Sequence, residues 1–293
     1  MTVPANRDAA RLLFESPDGA PSQTDAGTGA DVRIRPLSSL EDCSDCVELQ
    51  REVWGFEQGD IVPASLLHIV DYVGGIAAGA FDASGSLLGF VFGITGIHDG
   101  ELAHWSHMLG VRESARNLGV GRRLKEHQRS ELARLKVARI FWTFDPLMAK
   151  NAYFNLNRLG AKVVEYVPDM YGVTNSPMHF GLPTDRLVVC VTTAESQVSH
   201  PVVPLDHGLP VMTAFPQPGD DVLVADGERP PAALIEMPPE IPDKKLRITD
   251  IASQWRLSLR ENFQWALANG YSAKAVHRAA TTGRSFYVMM RSA

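Results

Sequence analysis

The sequence predicts an α/β (α+β) fold: a mixed, mostly antiparallel sheet flanked by helices, followed by a C-terminal α/β extension. Three observations predict it. Segments of period two alternate along the chain with segments of helical period. Two apolar strands meet over the Ala-Ser-Gly turn at Gly85 as an antiparallel hairpin. A chain of 293 residues, 45% hydrophobic and 21% charged, can bury a sizeable core and at about 100–200 residues per domain suggests two folded units.

In order along the chain, residues 15–31 are Gly, Ser, Thr, Asp and Pro with few apolar side chains, so residues 1–31 read as a flexible tail. Residues 32–37 alternate apolar and basic, as a half-buried strand does. Ser38 or Ser39 can cap a helix whose apolar positions are Leu40, Cys43, Val47 and Trp54. A short helix from Pro63 to about Tyr72 stops at Gly74-Gly75. The hairpin over Gly85 comes next, then a strand over residues 102–111 and a loop rich in Arg and Gly. A helix over 119–136 leads into the strand RIFWTF at 139–144. A second helix over 149–159 stops at Gly160, and strands near 162–166 and 186–192 close a first domain over residues 32–193. The Pro-rich residues 194–220 form a linker. The subdomain over 221–293 comprises strands DVLVA and AALIEMP, a long helix over 249–269 and a hairpin over Thr282-Gly283. Ile251, Trp255, Leu259, Phe263 and Leu267 recur at intervals of four on that helix and read as core.

The charge is −6, from 28 Lys and Arg against 34 Asp and Glu, which excludes a general nucleic-acid coat. Three cysteines cannot make a disulfide scaffold, so a reducing, cytoplasmic compartment is the default. The longest apolar stretch, residues 87–97, is about half of the ~20 residues a membrane span needs. No basic start followed by an apolar run is evident at the N-terminus. Neither nucleic acid nor membrane is therefore an expected partner. The charge is unevenly spread: residues 112–139 hold nine basic and three acidic side chains, leaving −12 for the remainder. A basic segment on an acidic chain suits one small polyanion.

That segment contains Arg116-Asn117-Leu118-Gly119-Val120-Gly121-Arg122-Arg123, directly after a strand and opening a helix. Glycines allow unusual backbone angles, so successive N–H groups can converge on an anion at the helix N-terminus. Arg116, Arg122 and Arg123 add cations suited to phosphate. A glycine loop with ordinary surface arginines has the same sequence signature. A dinucleotide fingerprint wants Gly where Leu124 stands, and no Gly-Lys-Ser/Thr of a P-loop occurs nearby.

The order strand, helices, hairpin, strand, R-x-x-G-x-G turn, helix, strand, helix ending Leu-Gly, strand resembles the GNAT superfamily of acyl-CoA-dependent N-acyltransferases. MLGVRESARNLGVGRRL (108–124) and NAYFNLNRLGA (151–161) carry that resemblance, which covers residues 32–193, about half the chain. WTFDPL, NAYFNLNRLGA and GLPTDRLVV carry a closer likeness to long bacterial GNAT-like proteins. The resemblance implies acetyl-CoA, or another acyl-CoA, as co-substrate and no metal. It implies that the backbone of Arg116, Asn117, Leu118, Gly119, Val120, Gly121 and Arg122 cradles the pyrophosphate, with Arg122 and Arg123 near the phosphates. It further implies that the backbones of Leu109 and Val111 pair with the pantetheine arm like an added strand.

Acyl transfer to an amine needs a neutral nucleophile, a polarised thioester carbonyl and a proton for the thiolate. The Leu109 N–H is the candidate oxyanion donor, and His107 stands where family members often carry a Glu base. A His packed in a strand is the bland alternative. Leu156 stands in the register of the family's usual acidic Tyr and has no proton to donate. Tyr153, one turn earlier, and Tyr171 are substitutes, or the thiolate leaves unaided, its pKa being about 8.5. Asn151 is a candidate pantetheine contact. Asp145 and the Asp185-Arg186 pair, at strand ends, are either substrate contacts or structural ion pairs. Cys43 and Cys46 have C-x-x-C spacing but lie within a helix without partner ligands and read as structural, with Cys190 alone. His104 and His107, three apart in a strand, point to opposite faces, and His200 and His207 read as solvated.

The resulting expectation is a cytoplasmic N-acyltransferase that moves an acetyl group, or a succinyl group, from coenzyme A to a small-molecule amine such as an amino acid. The C-terminal part has the elements of a degenerate half-copy of the same fold and would shape the acceptor pocket or make a homodimer contact. A non-catalytic acyl-CoA-binding or regulatory module is the alternative, supported by Leu156.

Overall fold

A computed structural model describes residues 32–55, 61–172, 182–194, 209–213, 215–216, 229–239 and 250–291. The expected tail, the strand DVLVA, His200 and His207 lie outside the described residues. Strand β1 (Arg33–Pro36) pairs antiparallel with β2 (Ile76–Phe81), which turns over Gly85 into β3 (Leu87–His98). Helix α1 (Leu40–Trp54) is opened by a capping box. Ser39 Oγ accepts from the Asp42 N–H at 3.0 Å, and the Asp42 carboxylate accepts from the Ser39 N–H at 3.2 Å. The same carboxylate takes two hydrogen bonds from Arg35, at 2.7 and 2.8 Å, so one Asp fixes both the helix start and the end of β1. Leu40 stays exposed, one turn before Cys43, Cys46 and Leu49, which are fully buried. Helix α2 (Ala64–Ile69) runs into a 3₁₀ turn that ends at Gly74.

Strand β4 (Glu101–Val111) pairs antiparallel with β3, and helix α3 (Val120–Arg134) returns the chain to β5 (Arg139–Phe144), which is parallel to β4. A parallel neighbour needs such a crossover. Helix α4 (Ala149–Tyr153) continues into one π-helical turn, Phe154–Arg158, and the chain leaves it at Gly160 with φ of 65°. Strands β6 (Lys162–Val167) and β7 (Arg186–Thr192) complete a seven-stranded sheet ordered β1-β2-β3-β4-β5-β7-β6. Phe90, Phe92 and Leu67 pack with α1 residues on one face, and Ala80 and Val91 pack with Val120 and Leu124 of α3 on the other. This is the mixed, mostly antiparallel sheet flanked by helices that the sequence predicts.

The second sheet holds β8 (Val211–Met212), β9 (Ala232–Met237), β10 (Tyr271–Arg278) and β11 (Ser285–Arg291), with α5 (Asp250–Ala268) between β9 and β10. Its order, β8-β9-β11-β10 with a parallel first pair, repeats β4-β5-β7-β6 strand for strand, and α5 takes the place of α4. Even the register slips correspond: one falls between Val163 and Glu165 on β6, the other between Ala273 and Ala275 on β10.

The two sheets share a core. Trp142, Leu156, Leu187 and Val189 pack in one cluster with Ile235, Leu259, Phe263 and Tyr287. The Phe263 ring lies 5.6 Å from Tyr166 and 4.8 Å from Tyr287, and Tyr287 donates to the Pro146 carbonyl at 2.8 Å. Strand β8 falls inside the expected linker; two residues are too short for any periodicity to register. On α5 the buried stripe is Ala252, Trp255, Leu259, Phe263 and Ala266, while Ile251 is exposed. A repeat of four outruns a helix of 3.6 residues per turn, so the apolar row leaves the core at its first member, Ile251. No described helix is long and apolar enough to cross a membrane.

Candidate functional site

Strands β4 and β5 pair over three positions only, Ala103–Arg139, His104–Ile140 and Trp105–Phe141. Beyond them the strands part and a fork opens. Ser106 and Trp142 are the first residues outside the last pair. Along this stretch β4 stays bound to β3, with a slip that sets Ser106 opposite Gly93 and Met108 opposite Phe92. His107 is the extra residue of that bulge, and bulges re-aim side chains. Its ring meets the edge of Phe92, with centroids 6.2 Å apart. The Arg112 N–H donates to the Leu88 carbonyl on β3 at 2.8 Å. Amide direction alternates along an antiparallel strand, so Gly110 and Met108 also face β3, whereas the N–H groups of Leu109 and Val111 face the fork.

The outer end of the fork leads to the start of α3. A 3₁₀ turn, Glu113–Ala115, is followed by Asn117 at φ 66° and Gly119 at φ 74°, two left-handed residues that curl the chain before the helix. Gly119 is the N-cap and offers no side chain to the helix; the first helical bond runs from Arg123 N–H to the Gly119 carbonyl at 3.1 Å. The amides of Val120, Gly121 and Arg122 thus precede the intrahelical ladder, at the positive end of the helix dipole. A Cβ built on Gly121 would meet Val111, Leu109 and Phe154 side chains at 3.7 to 3.9 Å, so this residue looks into the space between β4 and α4. Leu118 is half exposed. Arg116 reaches Glu113 at 4.0 Å, Arg122 pairs with Glu126 at 2.7 Å, and Arg123 donates to the Val32 carbonyl at 2.7 Å, which ties it to the start of β1.

Under the fork runs a polar network that sequence reasoning missed. Thr95 donates to the Gly74 carbonyl at 2.5 Å and accepts from His104 Nδ1 at 2.9 Å. His104 Nε2 accepts from the Gln128 amide at 3.1 Å. Lys125 Nζ donates to Ser106 Oγ at 2.6 Å and to Gln128 Oε1 at 3.4 Å, and sits 4.2 Å over the Trp142 ring. Trp142 Nε1 donates to Asn155 Oδ1 at 2.7 Å, and Asn155 Nδ2 donates to Asn151 at 2.9 and 3.2 Å. Burial pulls the Lys125 ammonium down to about 7; burial and the Lys125 charge hold the His104 ring down to about 3. The signal was present: Gln128 falls in the four-residue row Val120, Leu124, Gln128, Leu132, otherwise apolar.

Asn151 is exposed at the outer end of this network. Leu156 is buried in the shared core. Tyr153 is exposed beneath Arg158, and the Tyr171 hydroxyl lies 3.1 Å from Thr143 Oγ1. Asp145 and Asp185 form ion pairs with α5. Asp145 takes two hydrogen bonds from Arg256, both 2.9 Å, with Arg186 at 3.6 Å. Buried Asp185 takes two from Arg260, at 2.9 and 2.6 Å, and one from Tyr166 at 2.6 Å. Cys43 and Cys46 lie buried within α1, where burial pushes both thiols up. His104 and His107 lie on opposite faces, His104 against α3 and His107 against Phe92.

The second sheet has its own fork, after the pair Met212–Ile235. The next residues, Thr213 and Glu236, close it: Thr213 donates to Glu236 at 2.5 Å, and Arg284 grips the same carboxylate at 2.6 and 2.7 Å.

No family model matches the chain, and no curated protein matches it. Its structure is similar to those of several acetyltransferases. The ribosomal-protein-S18-alanine N-acetyltransferase from Escherichia coli is 15% identical, over 57% of this chain and 97% of that one, with a TM-score of 0.43. Aminoglycoside 6'-acetyltransferase type Ii is 22% identical, over 57% and 99%, with a TM-score of 0.44. The yncA protein of Salmonella typhimurium, a putative acetyltransferase solved with acetyl-CoA, is 17% identical, over 57% and 97%, with a TM-score of 0.44. The first sheet, with its parallel β4–β5 pair and glycine turn into α3, has the element order of the GNAT fold that the sequence resemblance implied.

Proposed function

We propose that this protein is a cytoplasmic acyl-CoA-dependent N-acyltransferase whose thioester lies in the β4–β5 fork. One observation carries the proposal: the outward amides of Leu109 and Val111 and the unladdered amides at the start of α3 form one continuous track from the fork to a helix N-terminus. Coenzyme A has the matching chemistry, a polyanionic pyrophosphate joined to a thin arm with amide groups that can pair with an extended strand. Gly121 leaves the wall of that track without a side chain. Arg116 and Arg122 border the pyrophosphate end, while Arg123 supports the cradle through Val32.

At the inner end, the Leu109 N–H stabilises the oxyanion and His107, on the bulge, takes the ammonium proton of the acceptor. The acyl group is acetyl, or succinyl, and the acceptor is a small amine such as an amino acid. Calorimetry with coenzyme A tests the proposal: micromolar binding is expected, and its absence would overturn it. Thiol release over a panel of amines then separates enzyme from binder. The buried Leu156, which cannot donate a proton, favours the second reading, a non-catalytic acyl-CoA-binding module. A protein that binds but releases no thiol with any amine would establish that module instead.

A further inference from the structure

We propose that Lys125 is an internal acyl acceptor: its ε-amine, at the base of the fork between Ser106 and Trp142, takes the acyl group from a bound coenzyme A thioester. This rests on the acyl-CoA reading of the fork. Trp105 and Phe141 make the last β4–β5 pair, and Lys125 Nζ bridges the two residues just beyond it, 2.6 Å from Ser106 Oγ and 4.2 Å from the Trp142 ring. Ser106 and Trp142 begin the fork in which the acyl-CoA reading puts the thioester, so the amine stands at the closed end of that fork.

The site leaves that amine poorly matched as a cation. Lys125 is 9% exposed, and among the described residues no carboxylate pairs with it. Its partners are a hydroxyl, a side-chain carbonyl at 3.4 Å and an aromatic face. The equivalent base of the second fork shows the contrast, since Arg284 there is fully paired by Glu236. An unpaired buried charge is costly, and acylation removes it. Burial pulls the ammonium down to about 7, so near neutral pH a large share of the amine is uncharged and nucleophilic. The titratable group facing it from β4 is His104, held neutral between Thr95 and Gln128; β5 presents Trp142 and α3 presents Gln128, neither of which titrates.

The step balances without a further reactant. The Nζ lone pair attacks the thioester carbonyl carbon, the C–N bond forms, and collapse of the tetrahedral adduct breaks the C–S bond, the electron pair leaving on sulfur. One N–H proton passes to that sulfur through the Ser106 hydroxyl. The products are Nε-acyl-Lys125 and free coenzyme A.

The test is intact-mass analysis and peptide mapping after incubation with acetyl-CoA and no amine, beside calorimetry with coenzyme A. One acetyl group on Lys125 is expected, with one thiol released. It should form faster than on the exposed Lys136 and Lys150 by about a hundredfold at pH 7, because the bound thioester is held beside Lys125 alone. Lys125→Met should bind coenzyme A and acquire no such adduct, and Ser106→Ala should acquire it more slowly. Coenzyme A binding with Lys125 unmodified, or acetyl groups spread evenly over the lysines as in urea-unfolded protein, would overturn the proposal. A protein that fails to bind coenzyme A would remove the acyl-CoA reading itself.

Discussion

Arg256 on α5 grips Asp145, just beyond β5, with two parallel hydrogen bonds of 2.9 Å across the seam between the sheets. Arg256 is 3% exposed and Asp145 partly buried, so this is a bidentate ion pair with its cation buried. Removing Asp145 leaves the Arg256 guanidinium buried without its carboxylate, a loss of about 3–5 kcal/mol, whereas Arg186, 3.6 Å from Asp145, still faces that carboxylate when Arg256 is removed. Arg256→Ala and Asp145→Ala should each lower the melting temperature sharply, and the double variant should lose much less than the sum. A double-mutant cycle checks this, and additive losses would show that the two side chains do not act as a pair.

Two other carboxylates set the response to acid. Asp42 is held down to about 2, chiefly by the Arg35 hydrogen bonds, with the Ser39 and Ser38 amides adding to them against a desolvation cost. For Asp185 burial alone would raise the carboxyl, but the bonds from Arg260, Tyr166 and the Asp169 amide outweigh it and leave it lowered. A depressed carboxylate contributes stability that is complete above its unfolded value, about 3.9, and is lost as pH falls toward the folded one. The melting temperature should therefore fall steeply between pH 4 and about 2. Asp42→Asn should be less stable at pH 6 and show a flatter profile in that window; an unchanged slope would contradict the assignment.

How much of this was legible in the sequence depended on whether a residue acts through its neighbours along the chain or across the fold. Gly119 and Gly121 announced the turn because left-handed angles and bare helix starts are local requirements. The strands of the C-terminal hairpin were legible from alternation, and their repeat of β4–β7 topology was foreseen only as an option, because strand order is not written in any one segment. The partners of Arg256 and Arg260 lie 111 and 75 positions earlier in the chain, so no local pattern announces either pair. The register slip at His107 left no mark in the composition of β4.

Gly121 offers a separation of binding from stability. The space its Cβ would enter already has ordinary contact distances, so Gly121→Ala fits the protein and, at the second helical position, gains up to about 1 kcal/mol of helix propensity. The added methyl nonetheless stands in the track between Leu109, Val111 and Phe154. Unchanged or raised melting temperature with several-fold weaker coenzyme A binding is expected. Equal affinity would place the pantetheine arm elsewhere.

His107 carries the proposed proton transfer, and its bulged position makes the test selective. The residue is the extra one in the β4 register, so its side chain is not part of the ladder that aligns the Leu109 and Val111 amides. His107→Gln keeps a side chain of similar reach while removing the imidazole. Turnover with the best amine should fall by about a hundredfold or more, as loss of a general base does, with coenzyme A affinity unchanged. The variant's pH profile should be flatter than that of the wild type. A variant with the parent rate and profile would remove His107 from the mechanism and leave the neutral amine to be selected from solution.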